Sequence, residues 1–126
     1  MDTLFCGGKT PNYSAEDIEV ARAQLEQVGV TQRMVVDFSH GNSEKNHLKQ
    51  LNVADAIMAQ MRAGSTAIAG IMAESFLQEG NQKVVADQPL CYGQSITDAC
   101  LHWDDSEVLL RKLAAASRER KALLAK

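Results

Sequence analysis

No stretch of this chain stays apolar for the ~18 residues that a membrane-spanning helix needs, so a membrane partner is not expected. Cysteine is scarce and odd in number: Cys6, Cys91 and Cys100. That count argues against a disulfide framework and for a reducing, cytoplasmic compartment. An excess of basic charge is also missing. Lys and Arg total 13 against 16 Asp and Glu, and the net charge is −3. Up to Ala63 there are 6 basic and 8 acidic residues, and beyond it 7 and 8. Neither half is the basic patch that nucleic acid requires, and neither is an acidic tail. The opening Met1-Asp2-Thr3-Leu4-Phe5 has an early acid and too short an apolar stretch to read as a signal peptide.

What is present suits one packed domain. Of the 126 residues, 45% are hydrophobic and 23% charged, a globular balance that excludes disorder, collagen and a coiled-coil rod. Three segments read as buried strands: Leu4-Phe5-Cys6, Met34 to Phe38 and Ala67 to Met72. The last two are nearly continuous apolar runs, as in strands covered on both faces of a parallel sheet.

Helical patterns lie between them. Ser14 and Asp17 have capping-box spacing, followed by Ile18, Ala21, Leu25 and Val28 on one face and Gly29 as a stop. A second helix is expected from about Ser43, with Leu48, Leu51, Ala54, Met58 and Met61 as its stripe and Gly64 as its end. A third is expected from about Asp105 to the C-terminus, with acids in its first turn and bases later, matching the helix dipole. Strands recurring roughly every 32 residues give βαβ units, hence an α/β fold with parallel pairing. Between Gly80 and Trp103, Val84-Val85-Ala86 reads as a short strand and Gln88-Pro89-Leu90 as a turn. A long connection of this kind is usually functional.

Polar residues cluster where the strands end: Gly7-Gly8-Lys9, then Asp37 and Ser39-His40-Gly41-Asn42, then Glu74-Ser75. Parallel α/β folds bind ligands at that end. His40 and Glu74 would therefore share a face, with Asp98 of the long loop as a third donor. Such a mixed N/O set suits Mn, Fe, Co or Zn. The alternative is that His40 closes a strand, Glu74 is solvated and Asp98 caps a turn. Gly7-Gly8-Lys9 offers amides and a cation to a phosphate, or is only a turn. Cys91, Cys100 and His102 lack zinc spacing. Cys6 and Cys100 read as buried thiols, His47 as an exposed helical residue beside the apolar stripe, and Met58 and Met61 as core.

Four segments together carry a resemblance over nearly the whole chain: Gly7-Gly8-Lys9-Thr10-Pro11-Asn12-Tyr13, Asp37-Phe38-Ser39-His40, Glu74 to Gln82, and Tyr92 to Cys100. Their order and spacing resemble the C-terminal third of a class I DAHP (3-deoxy-D-arabino-heptulosonate 7-phosphate) synthase, the first enzyme of the shikimate pathway to aromatic amino acids. The resemblance implies three βα units, strands six to eight, of a TIM (β/α)8 barrel that is incomplete on its own. It implies condensation of phosphoenolpyruvate with erythrose 4-phosphate, releasing phosphate, and a divalent metal held by Cys, His, Glu and Asp. His40, Glu74 and Asp98 fall on the last three, and Asp37 would orient His40. The metal-binding Cys of the family lies upstream of these motifs, and Cys6 stands where the family has an Arg that grips the substrate phosphate. The chain alone is therefore expected to be inactive, and to self-associate or complete a barrel with another chain.

Overall fold

The computed structural model describes residues 3–126; Met1 and Asp2, part of the segment read for a signal peptide, lie outside it. The order of elements is β1 (Thr3–Phe5), α1 (Ala15–Gln27), β2 (Met34–Asp37), α2 (Lys49–Arg62), β3 (Ile68–Met72) and α3 (Trp103–Leu124). The strands form one parallel sheet in sequential order, with Leu4 opposite Val35 and Val36 opposite Ile71. Crossover helices connect them, as parallel pairing requires. A register shift beside Met34 lets Val35 pair with Gly70. The α/β expectation is met.

The central strand is buried deepest, because it has a partner on either side. Met34, Val36 and Phe38 have no exposed surface, and they pack with Val53, Ile57 and Met58 of α2 and Leu109 and Ala116 of α3. Ile18 and Ala21 bring α1 onto the same core. The capping box is formed: Ser14 Oγ accepts from the Asp17 amide at 3.1 Å, and Asp17 accepts from the Ser14 amide at 3.2 Å. Arg120 anchors α3 beneath the sheet, donating to the carbonyls of Ser65 at 3.1 Å and Ile68 at 2.8 Å.

Several boundaries differ from the sequence expectation. β1 ends at Phe5, not Cys6, because the chain turns at Gly7 with φ +74°. Val28 ends α1 as its C-cap and is exposed. α2 begins at Lys49, six residues after Ser43, because residues 40–48 form successive turns in which His40, Glu44 and Lys45 all have positive φ. Leu48 is consequently exposed, and His47 lies half-buried in the turn rather than in the helix. α3 starts at Trp103, capped by His102, whose Nδ1 accepts from the Asp104 amide at 3.1 Å. Val84–Ala86 is not a strand: Val84 and Val85 are exposed and the turn falls at Ala86–Asp87. There the Gln82 side chain does the pairing. It accepts from the Cys91 amide at 2.8 Å and donates to the carbonyls of Cys91 at 2.7 Å and Gln94 at 3.0 Å.

Candidate metal centre

The three strands point their C-terminal ends at one face, and the polar residues collect there. Asp37 closes β2 and is wholly buried. A buried carboxylate is costly unless hydrogen-bonded, and both oxygens of this one are engaged. Oδ1 accepts from the Ser39 amide at 2.7 Å, and Oδ2 lies 2.7 Å from His40 Nδ1. With Asp37 as the acceptor in this bond, Nδ1 carries the proton and Nε2 faces Glu74 and Asp98. The bond to Asp37 is also the main reason the His40 pKa is raised above its ordinary value; burial opposes it, and the charges of Asp37, Asp98 and Glu74 add to it.

His40 has φ +45°, an uncommon conformation for a residue with a side chain. The turn holds it there, with the Lys45 amide donating to the His40 carbonyl at 3.0 Å. Asn42 ties the same turn to the sheet. Its Nδ2 donates to the Asp37 carbonyl at 2.8 Å and the Phe5 carbonyl at 3.3 Å, while its Oδ1 accepts from the Asn12 amide at 2.8 Å.

Glu74 follows β3, and Asp98 lies in the long connection. His40 Nε2 is 3.7 Å from Glu74 Oε1 and 3.6 Å from Asp98 Oδ2. One donor atom from each of the three residues falls within 4.8 Å of the others. The connection that carries Asp98 is fixed by an antiparallel bridge between Gly80 and Cys100 and by the Leu101 amide donating to the Glu74 carbonyl at 2.9 Å. An open cleft of about 480 Å³ adjoins, lined by Glu74, Phe76, Ser95, Thr97 and Cys100 among others. Cys100 is buried, and its thiol lies 3.8 Å from Glu74 Oε2. Burial first, then the charge on Glu74, push that thiol up, so it stays protonated.

Gly7-Gly8-Lys9 sits on the same face, but its first two amides are used internally. The Gly7 amide donates to Asn12 Oδ1 at 2.9 Å and the Gly8 amide to the Thr10 carbonyl at 3.1 Å. Lys9 is exposed. Cys6 is half-buried, and burial and then the charge of Asp37 raise its thiol pKa. It offers no positive charge.

A sequence model of the DAHP synthetase I family matches residues 2–111. The chain belongs to the DAHP synthetase I family. Among similar members, the Trp-sensitive phospho-2-dehydro-3-deoxyheptonate aldolase of Salmonella typhi is 62% identical over 117 residues, which cover 93% of this chain and 34% of the relative. The corresponding protein of Escherichia coli K12 is 60% identical over 113 residues, covering 90% and 32%. The solved phospho-2-dehydro-3-deoxyheptonate aldolase of Francisella tularensis SCHU S4 is 38% identical, with a TM-score of 0.88 over 93% of this chain and 34% of that one. This DAHP synthetase I chain thus spans about a third of the length of the relatives it matches.

Two residues around this site have roles that the sequence did not assign. Asn42 carried a signal, as the last of the polar cluster that follows the predicted second strand, but its role as a clip depends on long-range contacts. Gln50 offered only its spacing, in register with Ala54, Ile57 and Met61; the structure shows that it is fully buried. Among the described residues no helix is long and apolar enough to cross a membrane.

Proposed function

We propose that the chain forms strands six to eight of a DAHP synthase barrel and carries three of the four ligands of its divalent metal, His40, Glu74 and Asp98. The observation that carries this reading is the meeting of those three side chains at the C-terminal ends of neighbouring parallel strands, where barrels of this type place their chemistry. The donor set fits: one imidazole nitrogen and two carboxylates suit Mn, Fe, Co or Zn. The family's Cys ligand would come from upstream of the matched segment.

The substrates proposed are phosphoenolpyruvate and erythrose 4-phosphate, joined carbon to carbon with uptake of one water and release of phosphate, as the entry step to the shikimate pathway. When bound, the ion supplies a Lewis acid that polarises the aldehyde oxygen. The chain's own groups supply placement. Asp37 holds the His40 ring with Nε2 facing Glu74 and Asp98. The cleft beside Glu74 has room for a small phosphorylated substrate. Lys9 offers a cation at the rim of this face. Cys6, at the position where the resemblance places an Arg, cannot make a bidentate charged grip on phosphate.

The test is turnover, read as loss of phosphoenolpyruvate and release of phosphate. The chain alone shows none. Joined in frame behind the first two-thirds of the E. coli relative it gains activity, which Cys6→Arg raises and His40→Ala abolishes. Metal-dependent condensation by the chain alone, or a chimera indifferent to His40→Ala, contradicts the proposal.

A second reading, a non-catalytic module that self-associates or completes a barrel with another chain, is favoured by the open outer edges of β1 and β3 among the described residues. Exposed Leu4 and Leu110 accord with it. Sedimentation of the purified chain as a stable monomer counts against it.

A further inference from the structure

We infer that Gln50 is a positioning residue for the metal centre: from the first turn of α2, its side-chain amide fixes the backbone from which Glu74 reaches His40 and Asp98. The inference rests on the metal reading above.

Glu74 lies two residues beyond β3, so the sheet no longer pairs its backbone. Buried amide and carbonyl groups must find partners. Gln50 supplies both. Its Oε1 accepts from the Glu74 amide at 2.9 Å, and its Nε2 donates to the Glu74 carbonyl at 3.0 Å. Only one orientation of the side-chain amide satisfies that pair, since an N–H only donates and a carbonyl only accepts. The Leu101 amide adds a second bond to the same carbonyl. The two peptide groups flanking Glu74 are therefore clamped by residues distant in sequence.

The placement is unlike that of the rest of the helix. Ala54, Ile57, Met58 and Met61 make α2's buried face apolar, and Gln50 continues that face toward the functional end of the sheet. It has no exposed surface. Burying an amide there is unfavourable unless both of its ends are bonded, and an apolar residue would complete the stripe more simply. What the amide adds is a fixed direction for Glu74. Metal ligands depend on such supporting contacts for both position and affinity.

The experiment uses the 126-residue chain and Co²⁺ alone, with affinity and coordination read from the visible absorption bands. Four proteins are compared: the unaltered chain, Gln50→Leu, Ile57→Ala and His40→Ala. Ile57 is as buried as Gln50 on the same helix, so its truncation reports general loosening. Circular dichroism fixes a temperature at which each is folded. Gln50→Leu is expected to weaken Co²⁺ binding at least tenfold and to alter the bands at saturation, while Ile57→Ala leaves both unchanged. Equal binding by Gln50→Leu, or an equal loss in Ile57→Ala, overturns the inference. If Gln50→Leu does not fold, Gln50→Glu is measured instead. It keeps the acceptor for the Glu74 amide and loses the donor, and binding as tight as the unaltered chain overturns the inference. Co²⁺ binding that His40→Ala leaves unchanged, or no binding by the unaltered chain, overturns the metal reading and this inference with it.

Discussion

At the scale of single residues, the account turns on groups whose freedom has been removed. His40 is held by a carboxylate that is itself buried and bonded at both oxygens. Asp37→Asn keeps the size but replaces the negative acceptor with an amide whose two ends donate and accept. The ring then loses its fixed tautomer. Metal affinity is expected to fall about 10- to 100-fold, and the His40 titration midpoint, followed by NMR, to move down toward the ordinary histidine value. An unchanged midpoint contradicts the role given to Asp37. The candidate site was partly legible: His40 and Glu74 were each placed at a strand end and Asp98 in the long connection. Gln50 was not, because a polar residue within a helical stripe looks the same in sequence whether it clamps a distant backbone or lies at the edge of the stripe.

At the scale of elements, the strands were the most legible part, since continuous apolar runs such as Met34–Val36 leave few alternatives. The capping box at Ser14 likewise declared α1. Two stretches resisted, and for the same reason. Residues 40–48 and 74–101 are shaped by side-chain clips and positive-φ turns rather than by periodicity. One such shape decides how β1 and β2 end. The backbone at Gly7 lies against that at Gly41 and Asn42, and a Cβ on Gly7 would sit 2.7 Å from the Asn42 nitrogen. With φ +74° as well, Gly7→Ala is expected to cost at least ~2 kcal/mol. A Cβ on Gly8 would meet nothing within 4 Å, so Gly8→Ala is expected to stay within ~0.5 kcal/mol of neutral. Denaturant unfolding of the pair separates them; equal losses contradict the close approach of the two strand ends.

At the scale of the whole molecule, the chain is a packed α/β unit and also about a third of its relatives. The core explains why it holds together: α2 and α3 cover the sheet around Val36 and Phe38. On the proposed reading, the open outer edges of β1 and β3 and the thiol of Cys6 leave the barrel and its phosphate grip to be completed by another segment. On the same reading, the three converging donors His40, Glu74 and Asp98 are the part of the chemistry this chain brings with it. Mn²⁺ binding, followed by the paramagnetic resonance of the free ion, tests that most directly. About one ion per chain is expected to bind, with affinity reduced at least 100-fold in each of His40→Ala, Glu74→Ala and Asp98→Ala while the fold persists. Binding of equal strength in the unaltered chain and all three variants, or no binding by any of them, contradicts it.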